Sequence, residues 1–144
     1  MKVNIGSYNK KTEVSIDIHD IWNLDVTLAH IIFPALLQHK ATSQGVPSEF
    51  AIVGGEDFVE QQSFDFYSES HDEARNVSAE RWNDILDKMI WSFYQIAVGE
   101  YDNIYRNGFA DETNVYDHIG FALHDEKIQE GLTLFGEYYR GLWT

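Results

Sequence analysis

The sequence predicts a mainly α-helical, single-domain α+β fold: a three-helix core behind an N-terminal β-hairpin, with two long aromatic-rich connections. Three observations predict it. Apolar residues recur at Trp82, Ile85, Leu86, Met89, Ile90, Phe93, Ile96 and Ala97, the three- and four-residue spacing of a helix with one buried stripe. A run apolar on nearly every side from Thr27 through Leu37 lies within a helix of 24–43, and a third stripe, Ile128, Leu132, Phe135, Tyr139 and Leu142, spans 125–143.

In chain order, Val3 and Ile5, then Val14, Ile16 and Ile18, alternate around the turn-rich stretch 6–11. That pattern predicts a hairpin whose Val/Ile face lies on the helices or on a partner strand. Residues 24–43 read as a central helix, capped by Asn23 or Asp25 and kinked by Pro34, which cannot bond the carbonyl of His30. His30 itself is expected in the core. Residues 48–77 read as an acidic surface excursion carrying Phe64, Phe66 and Tyr67. Ser78 is the expected N-cap of the helix 79–98, and Gly99 its stop, because glycine takes the left-handed C′ position without penalty. The connection 100–124 holds Tyr101, Ile104, Tyr105, Phe109, Tyr116, Ile119 and Phe121, too apolar for a plain linker. Asp125 should cap the last helix. Gly131, Gly136 and Gly141 lie within it at about 1 kcal/mol each relative to alanine, which suggests a close contact; Gly136, facing Met89 and Phe93, is the expected one.

Composition narrows the function. The 144 residues are 44% hydrophobic and 15% aromatic, enough for one core. The absence of cysteine excludes disulfides, thiolate metal sites and cysteine nucleophiles. No apolar run is long enough to span a bilayer, and 1–11 lacks the apolar core of a signal peptide, so a cytoplasmic protein without membrane contact is expected. Ten Lys and Arg against 24 Asp and Glu leave a net charge of −14. Residues 1–45 are neutral, whereas 46–80 carry nine acids and one base, Arg75. Without a basic cluster, direct nucleic-acid binding is not expected. An acidic face suits a basic partner, or a mimic of DNA.

No catalytic motif rises from the spacing. His30 and His39 are nine residues apart on one helix, about half a turn out of phase, so they cannot chelate together. Asp84 and Asp87 could meet a ligand from a neighbouring helix, but Asp84 with Lys88 reads more simply as a surface i, i+4 pair. A metal-dependent nucleotide or phosphoester hydrolase would have to draw on Asp25, His30, Asp84 or Asp87; no metal or other cofactor is expected. Better placed for binding are Trp91, Tyr94, Tyr138, Tyr139, Arg140 and Trp143, rings beside a guanidinium that would hold a planar group. Trp91, Tyr94 and Tyr138 lie off their helices' apolar stripes, so exposure or burial in a two-fold homodimer is expected.

Three blocks, WNLDVTLAHIIFPALLQHK, WNDILDKMIWSFYQI and IQEGLTLFGEYYRGLW, resemble a family of small proteins of tailed bacteriophages. In that family W-x-M-D-H-T-L-A, W-x-x-V-L-D-E-M-I-W-x-F and L-F-G-K-Y-Y-x-G-L-W occur in this order. The blocks cover somewhat under half the chain. Val26 stands where the pattern has histidine, Lys88 where it has glutamate and Glu137 where it has lysine, so no role rests on those positions. The resemblance implies a phage protein acting in the host cytoplasm. Together with the missing catalytic motifs, it suggests a non-enzymatic accessory protein that counters host defence, by binding a defence protein or sequestering its nucleotide messenger.

Overall fold

Helix α2, Glu69–Val98, lies between α1, Leu24–Thr42, and α3, His118–Tyr138, and packs against both. The computed structural model describes residues 1–4, 13–43, 45–47, 69–99, 105 and 117–143, and the side chains of all but Lys2, Asn4 and 69–75 among these. The three-helix, mainly α architecture therefore stands, with boundaries that differ from the expected ones.

At the N-terminus β1, Lys2–Asn4, pairs antiparallel with β2, Glu13–Ser15, with Val3 opposite Val14. The turn of the expected hairpin, 5–12, falls outside the described residues, so a hairpin as such is not established. Of the two backings expected for its Val/Ile face, the helices are corrected: Val3, Val14 and Ile16 are exposed and not pressed on them. A 3₁₀ turn, Ile18–Ile21, leads into α1 and is closed by a reciprocal cap, in which the Asp17 carboxylate accepts from the His19 N–H and the Asp20 carboxylate from the Asp17 N–H. Thr27 ties this turn to α1 by donating its hydroxyl to the Asp20 carbonyl at 2.9 Å.

The core is α2's stripe. Trp82, Leu86, Met89 and Phe93 are buried beside Ala29 and Leu36 of α1, and Ile128 of α3 is buried as well. Each of the larger of these side chains contributes about 1.5–3 kcal/mol by leaving water. Ile85, Ile90, Ile96 and Ala97 pack partly buried around them. Gly99 has a φ of 63° and donates to the Gln95 carbonyl, the left-handed stop expected of it.

Three expectations change. Helix α2 starts at Glu69, so Ser78 is not a cap but a buried residue inside the helix; the stretch 69–77 is helical without an apolar stripe to announce it. Helix α3 starts seven residues before Asp125, with Asp117 as its cap, whose carboxylate accepts from the Gly120 N–H at 2.8 Å. Helix α1 is not buried all round: Ala29 and Leu36 face the core, while Leu24, Leu28, His30, Ile31 and Leu37 are exposed. His30 is thus no core residue.

The glycine contact also moves. A methyl group on Gly136 would meet nothing within 4 Å, whereas one on Gly131 would lie 2.1 Å from Ser92 Oγ and 2.5 Å from the Lys88 carbonyl oxygen. Gly131 is buried where α3 crosses α2, and the buried Ser92 hydroxyl there lies 3.4 Å from the Lys127 carbonyl it donates to. The charged side chains follow the tertiary packing in the same way. Lys88 pairs with Glu130 of α3 at 2.6 Å, not with Asp84, and Lys40 of α1 reaches Asp87 at 2.5 Å.

Candidate functional site: an apolar ridge and a groove

The six aromatic and guanidinium residues singled out in the sequence do not form one site. Trp91 is half-buried, its ring beside His124 with Lys127 Nζ 4.2 Å above it. Tyr138 is half-buried against Trp82, ring edge to face, at 5.8 Å. Both therefore find their cover within the chain, which removes two of the three reasons for expecting a dimer. Tyr94 is 44% exposed beside Phe33. Tyr139, Arg140 and Trp143 are exposed together at the C-terminal turn.

Trp91, His124 and Tyr105 make a small aromatic cluster, with the Tyr105 hydroxyl 3.3 Å from His124 Nδ1. Burial, and then the neighbouring Lys127 charge, push the His124 pKa below its usual value of 6.5, against a smaller opposing pull from Asp125. A depressed folded-state pKa means that the unfolded chain takes the proton more readily. The neutral ring thus contributes stability that is full above the unfolded pKa near 6.5 and is lost as pH falls from there through the folded value. Melting temperature should accordingly drop between pH 7.5 and 5 less steeply in His124→Gln than in the wild type; equal slopes would refute this.

None of the residues weighed for hydrolysis converges. His30 is exposed on α1, Asp84 is exposed on α2, and the Asp87 carboxylate is occupied by Lys40. Among the described residues no group of three or more His, Asp and Glu is placed to hold a metal ion. No described helix is long and apolar enough to cross a membrane.

Two surface features stand out instead. The first is a ridge. Ile18 and Ile21, three apart in the 3₁₀ turn, eclipse one another, and after the non-helical Asn23 the residues Leu24, Leu28 and Ile31 follow at helical steps of four and three on one side of α1; all five are exposed. Ile16 and Trp22 flank it, and the most open of these side chains are Ile18 at 66% and Trp22 at 72%. The His19 ring packs on Trp22 at 4.7 Å. Exposed Asp17 and half-exposed Asp20 cap the turn itself, the Asp20 carboxylate also pairing with the N-terminal ammonium of Met1 at 2.5 Å, and Glu13 and Asp25 are exposed. The His19 backbone N–H and ring nitrogen that bond the Asp17 carboxylate hold its pKa below the usual carboxylate value, so it stays ionised. Sequence reasoning missed this ridge because it took the same apolar residues for core. Asp17-x-x-Asp20 before the run was the available signal that the chain there is a fixed turn.

The second feature is a groove at the opposite end of α1. Two hollows of about 450 and 210 Å³ share Gly45, Val46 and Trp82. Trp143 and Gly141 line the smaller one.

The elements and surfaces define a three-helix protein with exposed apolar residues at the start of α1 and a groove at its far end. No known family model, curated protein or solved structure matches the chain.

Proposed function

We propose that this chain is a non-enzymatic binding protein that masks a basic surface of another protein, and that its contact is the Ile16–Ile31 ridge. The carrying observation is the exposure of Ile18, Ile21, Trp22, Leu24, Leu28 and Ile31 beside the ionised Asp17 carboxylate. Apolar anchors at the centre with charge at the edge are how protein interfaces obtain affinity and orientation. The likeness of the three helical blocks to small phage proteins supports a defence protein of the host cell as the target. A second copy of this chain is a less suitable occupant, because symmetric pairing would bring two ionised Asp17 carboxylates into one interface between chains of charge −14.

The test uses a host strain whose defence restricts phage plating. Expression of the wild-type chain should restore plating, and Ile18→Ser with Trp22→Ser should abolish it, weakening partner binding about 30-fold or more, as for interface anchors. Both residues are exposed, so the double variant should melt within about 0.5 kcal/mol of the wild type. Full activity of that variant sinks the reading. Purified chain mixed with nucleotide messengers separates the alternatives: intact nucleotide released on denaturation would mean sequestration, and converted nucleotide an enzyme.

A further inference from the structure

Three parts of the chain meet at Asp20. One of its carboxylate oxygens accepts from the Met1 ammonium at 2.5 Å and the other from the Asp17 N–H at 2.7 Å. Its carbonyl accepts from the Thr27 hydroxyl at 2.9 Å. The residue before β1, the 3₁₀ turn Ile18–Ile21 and the first turn of α1 are thus joined at one residue.

The turn depends on such a joint. A 3₁₀ turn has poor hydrogen-bond geometry and little stability of its own, and no residue of this one is buried. Ile18, Ile21 and the neighbouring Trp22 are 66%, 51% and 72% exposed, so burial does little to fix where they point. The bonds from the Asp20 N–H to the Asp17 carbonyl and from the Trp22 N–H to the His19 carbonyl shape the turn without placing it. Two side-chain or terminal bonds reach it from elsewhere among the described residues. Thr27 fixes it to α1, and Met1 fixes it to the strand pair.

Of these two, the Met1 contact carries charge on both partners, which makes it the stronger in kind. Ahead of the Asp17 N–H, it holds the Asp20 carboxyl below the usual carboxylate range. The Met1 side chain is 8% exposed although the residue as a whole is 36% exposed, so the open part of Met1 is its main chain, where the amine lies. The amine is therefore anchored by its own side chain and still within reach of a modifying group. An acyl group such as acetyl turns the ammonium into a neutral amide with a single N–H, and adds a carbonyl beside an anionic oxygen.

We propose that the Met1 ammonium is a clasp for the Ile18–Ile21 turn, which makes Met1 a modification-sensitive site: a chain acylated on the Met1 nitrogen keeps its three helices and loses the fixed turn. The helices are spared because the core of Ala29, Leu36, Trp82, Leu86, Met89 and Phe93 is packed without residue 1. That a loosened turn weakens partner binding rests on the ridge being the contact. That the clasp holds the turn does not.

The test compares the 144-residue chain with a free Met1 amine and the same chain acetylated there by an N-terminal acetyltransferase, each verified by mass. Amide hydrogen exchange, followed by nuclear magnetic resonance, should be about two- to five-fold faster at Asp17, His19 and Asp20 in the acetylated chain, the range for an exposed ion pair. Exchange at Met89 and Phe93 should be unchanged. The Asp20 carboxyl should titrate closer to its ordinary value of 3.8. Asp20→Asn keeps an acceptor for the Asp17 N–H but no charge for Met1. It should speed the same amides, and acetylation should then add nothing, as for two changes that break one interaction. The clasp is overturned by unchanged exchange in the acetylated chain, or by effects of acetylation and Asp20→Asn that add. Faster exchange at Met89 and Phe93 as well would equally overturn it, because Met1 would then support the whole fold. The ridge reading fails separately, through full plating by the Ile18→Ser, Trp22→Ser variant, which plays no part in these measurements.

Discussion

Gly131→Ala is expected to lower the stability by about 2–3 kcal/mol, or about 5–10 °C in melting temperature for a chain of this length. The new methyl would sit 2.1 Å from Ser92 Oγ, 2.7 Å from Ser92 Cβ and 2.5 Å from the Lys88 carbonyl oxygen. The hydroxyl can rotate away, but the Cβ and the carbonyl belong to α2 itself and yield only if the helices part. Removing a helical glycine returns at most about 1 kcal/mol, so the clash wins. Gly136→Ala is the control: nothing lies within 4 Å of its added methyl, so only the propensity gain remains and the variant should melt higher, by up to about 1 kcal/mol. Thermal unfolding of the two variants beside the wild type decides the matter. Equal or increased stability in Gly131→Ala would mean that α2 and α3 do not cross there.

Leu36→Ala and Leu37→Ala should differ sharply although the residues are adjacent and identical. Leu36 is 3% exposed against the α2 stripe, and its truncation should cost about 2–5 kcal/mol, the range for emptying a packed leucine site. Leu37 is 45% exposed, so its truncation should cost well under half as much, about 1 kcal/mol or less. Denaturant unfolding curves with unchanged slopes give both values directly. Comparable losses would show that the Leu37 side of α1 is buried as well.

Much of this was legible in the residues. The α2 stripe from Trp82 to Phe93 is buried as its spacing predicts, since a three- and four-residue repeat permits only one helical face to be apolar. Helix α1 falls on Leu24–Thr42 against an expected 24–43, and Gly99 ends α2 in the left-handed conformation. Less was legible at helix starts. The polar stretch 69–77 carries no stripe, and Asp117 caps α3 in preference to Asp125 although both are equally suited by type.

The candidate sites were scarcely legible. Trp91 and Tyr138 lie off their stripes, yet Lys127, His124 and Trp82 cover them from elsewhere in the chain. The groove joins residues 45–47, 76–86 and 141–143, which no local pattern connects. By itself the sequence determined that there are three helices, which face of α2 is core and where that helix stops, because these follow from periodicity and backbone freedom within a few turns. Only the tertiary structure decided which side of the apolar α1 meets α2, which glycine of α3 lies at the crossing, and whether Lys88 pairs with Asp84 or Glu130. Each of those depends on how one helix is rotated about its axis against another, and a helix apolar on several sides or carrying several glycines leaves that rotation open until its neighbours are in place.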